Sequence, residues 1–134
     1  MTIQELVDNF ALLGDWEERY QLLIDMAGRL PVMEEALKTE ATKVRGCMSQ
    51  VWMVLHWDEA GRLHMLADSD AVLVRGLIAL LAVIFAGKTR DEIAKIDVER
   101  IFAELGLDQH LSPNRRNGFF SMVEKVKAFT APRI

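Results

Sequence analysis

Cys47 is the only cysteine among 134 residues, and it stands in the run Lys43-Val44-Arg45-Gly46-Cys47-Met48-Ser49-Gln50-Val51-Trp52. A single thiol can neither close a disulfide within the chain nor build a multi-thiolate metal site. Inert packing and reactivity remain, and free cysteine is among the most buried residue types. The neighbours weigh toward reactivity without closing the other reading. Arg45 puts a cation close by and favours the thiolate, which is the nucleophilic form. Gly46 permits a backbone conformation that a side chain would obstruct, so the thiol can project from a loop. Ser49 and Gln50 supply hydrogen-bonding groups that an apolar niche would not need.

Other polar residues invite chemistry less strongly. His56 and His64 fall where two strands would bring them together, but two ligands are too few for zinc and His110 is remote. A solvent-facing pair is the expectation. The glycines are scattered singly and form no phosphate loop, and Ser49 has neither a nucleophile-elbow setting nor a base spaced for it. Asp68 and Asp70 stand where carboxylates would cap helix amides. Arg75 lies within a strongly apolar run, where an unpaired charge is costly, so it must snorkel or pair with a carboxylate. No general base is spaced for catalysis.

The elements that would position these residues read from periodicity. Thr2 with Glu5, then Asp15 with Glu18, open two amphipathic helices separated by Gly14, the second stopping near Gly28. Residues 34–38 fit one further short turn. From Gln50 the apolar period becomes two: Val51, Met53, Leu55 and Trp57, then Leu63, Met65 and Ala67. Glu59-Ala60-Gly61 fits a three-residue hairpin loop that sets His56 opposite His64 and Leu55 opposite Met65. Residues around Val44 are expected to add a third strand and complete a small antiparallel meander. Asp68 or Ser69 is expected to cap a buried helix from about Asp70 to Ala86. Two short helices follow from Thr89 and Asp97, the latter ending at Gly106. Ser112 and Pro113 open the last helix. The fold class is α+β, a small meander with helices packed on one face, in a single domain over residues 1–134.

At this length the chain can bury a core without staples. A net charge of −4 gives no electrostatic footprint for nucleic acid. The longest apolar run, Leu77 to Ala86, is too short to span a bilayer, and Met1-Thr2-Ile3-Gln4-Glu5 lacks a basic region ahead of an apolar stretch. With one free thiol, these features point to a reducing, cytoplasmic setting.

The run from Val44 to Trp52 resembles the signature of the SufE/CsdE family of sulfur acceptors, which work beside cysteine desulfurases in iron–sulfur cluster assembly. Two further blocks follow in the family's order: Asp68-Ser69-Asp70-Ala71 opening a long apolar segment, and Leu111-Ser112-Pro113-Asn114-Arg115-Arg116-Asn117-Gly118 with Met122 after it. The resemblance implies a SufE/IscU-like fold and an accessory protein with no cofactor or metal of its own. Its partner would be a SufS- or CsdA-like desulfurase that uses pyridoxal phosphate, with an iron–sulfur scaffold as downstream acceptor. Cys47 would receive and relay the sulfur. Arg45, Gly46, Met48, Ser49, Gln50, Asp70 and Arg115 would meet the partner, and Met48, Val51 and Trp52 are candidates to shelter the thiol. Arg115 matches the third block, whereas Arg116 stands where the family varies; a plain first-turn surface arginine is the competing reading of Arg115. A paralogue serving another acceptor, a thiol-independent interaction domain, and either a monomer or a homodimer all stay open.

Overall fold

The computed structural model describes residues 2–46 and 49–131, so Cys47 and Met48 lie outside the described residues. In chain order the elements are α1 (Ile3–Leu12), α2 (Trp16–Ala27), a 3-10 turn (Glu35–Leu37), β1 (Val51–Trp57), β2 (Leu63–Ser69), α3 (Val72–Phe85), α4 (Arg90–Ala94), α5 (Val98–Glu104), α6 (Leu107–His110) and α7 (Pro113–Thr130). This is the expected α+β class.

Side-chain oxygens open most of these helices by accepting amides that the first turn leaves unpaired. Thr2 accepts from Glu5 and Asp15 from Glu18, while Thr89 and Glu92 form a full reciprocal box. Asp97 accepts from Arg100, and Ser112 caps α7 just ahead of Pro113. α3 departs from the expectation. It starts at Val72 with Ala71 as a cap lacking any side-chain hydrogen bond, because Asp68 and Ser69 belong to β2. Strand pairing continues through Val51 opposite Ser69, which takes both residues away from the helix start. The segment after α5 also continues beyond Gly106 into the short α6.

The hairpin has the expected register, with Leu55 opposite Met65 and His56 opposite His64. Gly61 takes φ +74°, the left-handed position that a three-residue loop demands. Asp58 fastens the turn, accepting from the Ala60 and Arg62 amides and lying 2.9 Å from His64 Nε2. The Arg62 amide first, and then His64, hold its carboxyl below the usual range. The meander is incomplete: the third strand reduces to a single bridge, Lys43 to Trp52. It is flanked by Val44 N–H donating to Val51 O and Met53 N–H donating to Thr42 O, each at 2.8 Å. Gly46 turns the chain away before a longer ladder can form.

α3 is the centre of the domain and packs on α2, β2 and α7. Leu80, Leu81 and Phe85 are fully buried there, and Leu80→Ala would cost about 2–5 kcal/mol. Val51, Met53 and Leu63 turn inward from the hairpin, while His56 and His64 stack outward, 5.0 Å between centroids. Arg75 pairs as its setting requires: Nε donates to Ser69 O at 2.9 Å and lies 3.4 Å from Asp68 Oδ1. α7 adds two lysine clamps, Lys127 Nζ donating to the Ile93 and Ile96 carbonyls and Lys125 Nζ to those of Thr42 and Met53.

Candidate functional site

The connection that contains Cys47 is held from two sides. Its outgoing limb is fixed at Gln50. The Gln50 carbonyl accepts from Ser69 Oγ at 2.7 Å and from the Asp70 N–H at 3.3 Å, and the Gln50 N–H donates to Asp70 Oδ1 at 3.0 Å. Ser69 is 2% exposed and its Oγ also accepts from the Ala71 amide, so one buried hydroxyl joins the limb to the start of α3. Sequence reasoning assigned Ser69 to capping. The signal for its true place was the period-two series Leu63, Met65, Ala67, which puts residue 69 on the inward face.

The incoming limb runs along α7. Gly46 has φ +88°, and a Cβ placed there would lie 2.6 Å from Ser121 Oγ. Both the backbone conformation and the close approach therefore demand glycine. Ser121 donates to Asn117 O, which orients its oxygen. Four residues upstream of Gly46, Thr42 O meets Lys125. Neither Ser121 nor Lys125 carries a local sequence signature for this role, because their partners lie more than 70 residues away. Arg45 extends into solvent, its guanidinium 3.5 Å from Glu40. Its charge is shared with a carboxylate and screened by water, so its field at the connection is modest.

Ser49 forms part of the rim of a cavity of about 260 Å³ between α3 and α7. Val74, Leu77, Phe119 and Met122 give it apolar walls, and Asn114 and Arg115 add polar groups. Arg115 Nη1 is buried and makes no hydrogen bond among the described residues. A guanidinium with an unmet donor beside an apolar cavity suits a soft anion, and thiolate and persulfide are of that kind.

The structure thus gathers Arg45, Gly46, Ser49, Gln50, Asp70 and Arg115 around the two limbs of one connection. Cys47 and Met48, which complete that set, lie outside the described residues. Of the proposed shelter, Val51 is fully buried in the core, whereas Trp52 lies on the outer face with Lys38 Nζ 5.4 Å above its ring. Among the described residues no group of three or more His, Asp or Glu side chains converges as a metal site. No helix among them is long and apolar enough to cross a membrane.

Residues 4–130 match the family model described as SufE, the Fe-S metabolism associated domain. A SufE-like protein of Rhizobium meliloti (strain 1021) is 41% identical, the match covering 99% of this chain and 97% of that one. A SufE-like protein of Rhizobium etli is 40% identical over 94% of this chain and 87% of its own length. Among solved structures, a hypothetical protein from Thermus thermophilus shares the fold, with a TM-score of 0.77 over 97% of this chain and 96% of the other at 18% identity.

Proposed function

We propose that this chain, which belongs to the SufE family of iron–sulfur metabolism, is a persulfide relay whose acceptor is Cys47. In the reading, residues 1–134 act as one domain beside a cysteine desulfurase that carries pyridoxal phosphate. The Cys47 thiolate attacks the outer sulfur of the desulfurase persulfide. A new S–S bond forms at Cys47, the S–S bond of the desulfurase breaks, and the electron pair leaves on the desulfurase cysteine as thiolate. The reaction is thiol–disulfide exchange with one sulfur as the transferred group, so no external oxidant or reductant enters. Passing the sulfur to an iron–sulfur scaffold repeats the exchange with this chain as donor. A reducing compartment such as the cytoplasm suits a thiol that must stay free between turnovers.

The observation that carries the reading is the two-sided mounting of the connection. Ser69 and Asp70 hold Gln50, α7 carries Gly46, and an Arg115 nitrogen unpaired among the described residues lies at the cavity that Ser49 borders. Arg45, Gln50 and Asp70 are exposed around it and available to a partner, with Met48 beside the thiol in sequence. Desulfurase turnover of free cysteine, measured with and without this protein, tests the function. Stimulation by wild type and none by Cys47→Ser is expected; equal stimulation by both would overturn it.

A further inference from the structure

We propose that Lys125 is a positioning residue for sulfur transfer, holding the incoming limb of the Cys47 connection in its reactive placement; the inference rests on the relay reading above. Lys125 Nζ donates to Thr42 O at 3.1 Å and Met53 O at 3.2 Å, and Thr42 O also accepts from the Met53 amide. One ammonium thereby ties the start of the limb to β1 and both to α7. Among the described residues no carboxylate pairs with it. Partial burial lowers the lysine's pKa, so the charge is kept at some cost where an uncharged side chain of similar length would fill the space.

The geometry gives that cost a purpose. Ser121, one turn earlier on the same face of α7, touches Gly46, the residue before Cys47. Lys125 at Thr42 and Ser121 at Gly46 therefore support the limb at two points along one helix. The outgoing limb depends on different elements, Ser69 and Asp70 at the β2–α3 corner. Loss of Lys125 releases the incoming side from α7, while its bridge to β1 and the outgoing limb remain. The lysine's contacts face inward, and of the groups open to a partner Gln50 and Asp70 lie on the outgoing limb and stay in place, while Arg45 of the incoming limb reaches into solvent. The consequence is a chemical defect and not a docking defect.

The full chain carrying Lys125→Met or Lys125→Arg is titrated into a cysteine desulfurase turning over free cysteine, with wild type and Cys47→Ser alongside. Lys125→Met is expected to lower the maximal stimulated rate by about tenfold, the scale of a sub-ångström misplacement, with the half-saturating concentration held within about twofold. Lys125→Arg keeps the charge and the donors and should recover most of the rate. Ser121→Val, which crowds Gly46 and leaves the Lys125 ammonium present, should show the same split and serves if Lys125→Met does not fold. An unchanged maximal rate, a loss explained by weaker half-saturation, or no recovery with arginine overturns the inference. Absence of stimulation by wild type overturns the relay reading with it, whereas wild-type stimulation matched by Lys125→Met overturns this inference alone.

Discussion

Gln50 and Asp70 hold each other twice: the Gln50 N–H donates to the Asp70 carboxylate at 3.0 Å, and the Asp70 N–H donates to the Gln50 carbonyl at 3.3 Å. The pair spans 20 residues of sequence and closes the hairpin at the end opposite its turn. One of the two bonds belongs to a side chain and can be removed by substitution. Asp70→Ala should destabilise the protein by about 1 kcal/mol, as a single exposed charge-assisted bond implies, and slow sulfur transfer more than that loss explains. Asp70→Asn, which keeps the acceptor oxygen, should retain most of both. Thermal melts beside desulfurase stimulation check the pair; equal loss in Asn and Ala variants would show that the charge, not the bond, matters.

Gly46 and Ser121 should be energetically coupled. Gly46→Ala forces a side chain into φ +88° and to 2.6 Å from Ser121 Oγ, for a cost of about 1 kcal/mol from the backbone alone and more from the contact. Ser121→Ala alone should be close to neutral. The double variant keeps the backbone strain but relieves the contact, so it should be more stable than the sum of the singles by about 0.5 kcal/mol or more. Strict additivity in denaturant melts would mean the limb shifts away from α7 at no cost.

Arg75 of α3 and Arg115 of α7 should separate. Arg75→Ala removes the bond to Ser69 O and the packing of its stem, and should lower stability by about 1–2 kcal/mol, with the half-exposed ion pair to Asp68 adding little. Arg115→Ala removes a buried nitrogen that has no hydrogen-bond partner among the described residues, so stability should stay within about 0.5 kcal/mol of wild type while sulfur transfer slows. Melts with the reverse ranking would refute this division.

Much of this was legible because its causes are local. Thr2, Asp15, Thr89, Asp97 and Ser112 announce helix starts through a bond three residues long, and the hairpin register follows from period two and Gly61. That Gly46 and Asp70 flank one connection was legible too, since both stand in short motifs. The failures have one physical origin. Asp68 and Ser69 look like caps locally, but strand pairing with Trp52 and Val51, far back in the sequence, claims them first. The third strand was overestimated because Gly46 ends it after one bridge. Lys125 was invisible: a lysine on an amphipathic helix reads as solvated, and only the folded chain shows its carbonyl partners 83 and 72 residues away.

Asp68 should shape the acid limb of stability. Burial pushes its carboxyl up, but hydrogen bonds from Lys38 and the Ser69 amide, with the charges of Lys38 and Arg75, outweigh that and hold it below the usual value. A carboxylate with a depressed folded pKa contributes stability that is whole above its unfolded pKa and is lost as pH falls through the folded one. Asp68→Asn should therefore be less stable than wild type near pH 7, and the gap should close below the ordinary aspartate pKa of about 3.9. Denaturant midpoints across that range decide it; a gap that persists at the acid end would place the contribution in packing.

Intact-protein mass after incubation with a cysteine desulfurase and free cysteine tests the relay most directly. The account predicts that wild type gains the mass of one sulfur atom, that a reductant removes it, and that peptide mapping places it on Cys47. A wild-type protein that gains no sulfur while it stimulates the desulfurase, or a Cys47→Ser variant that gains it equally, would contradict the account.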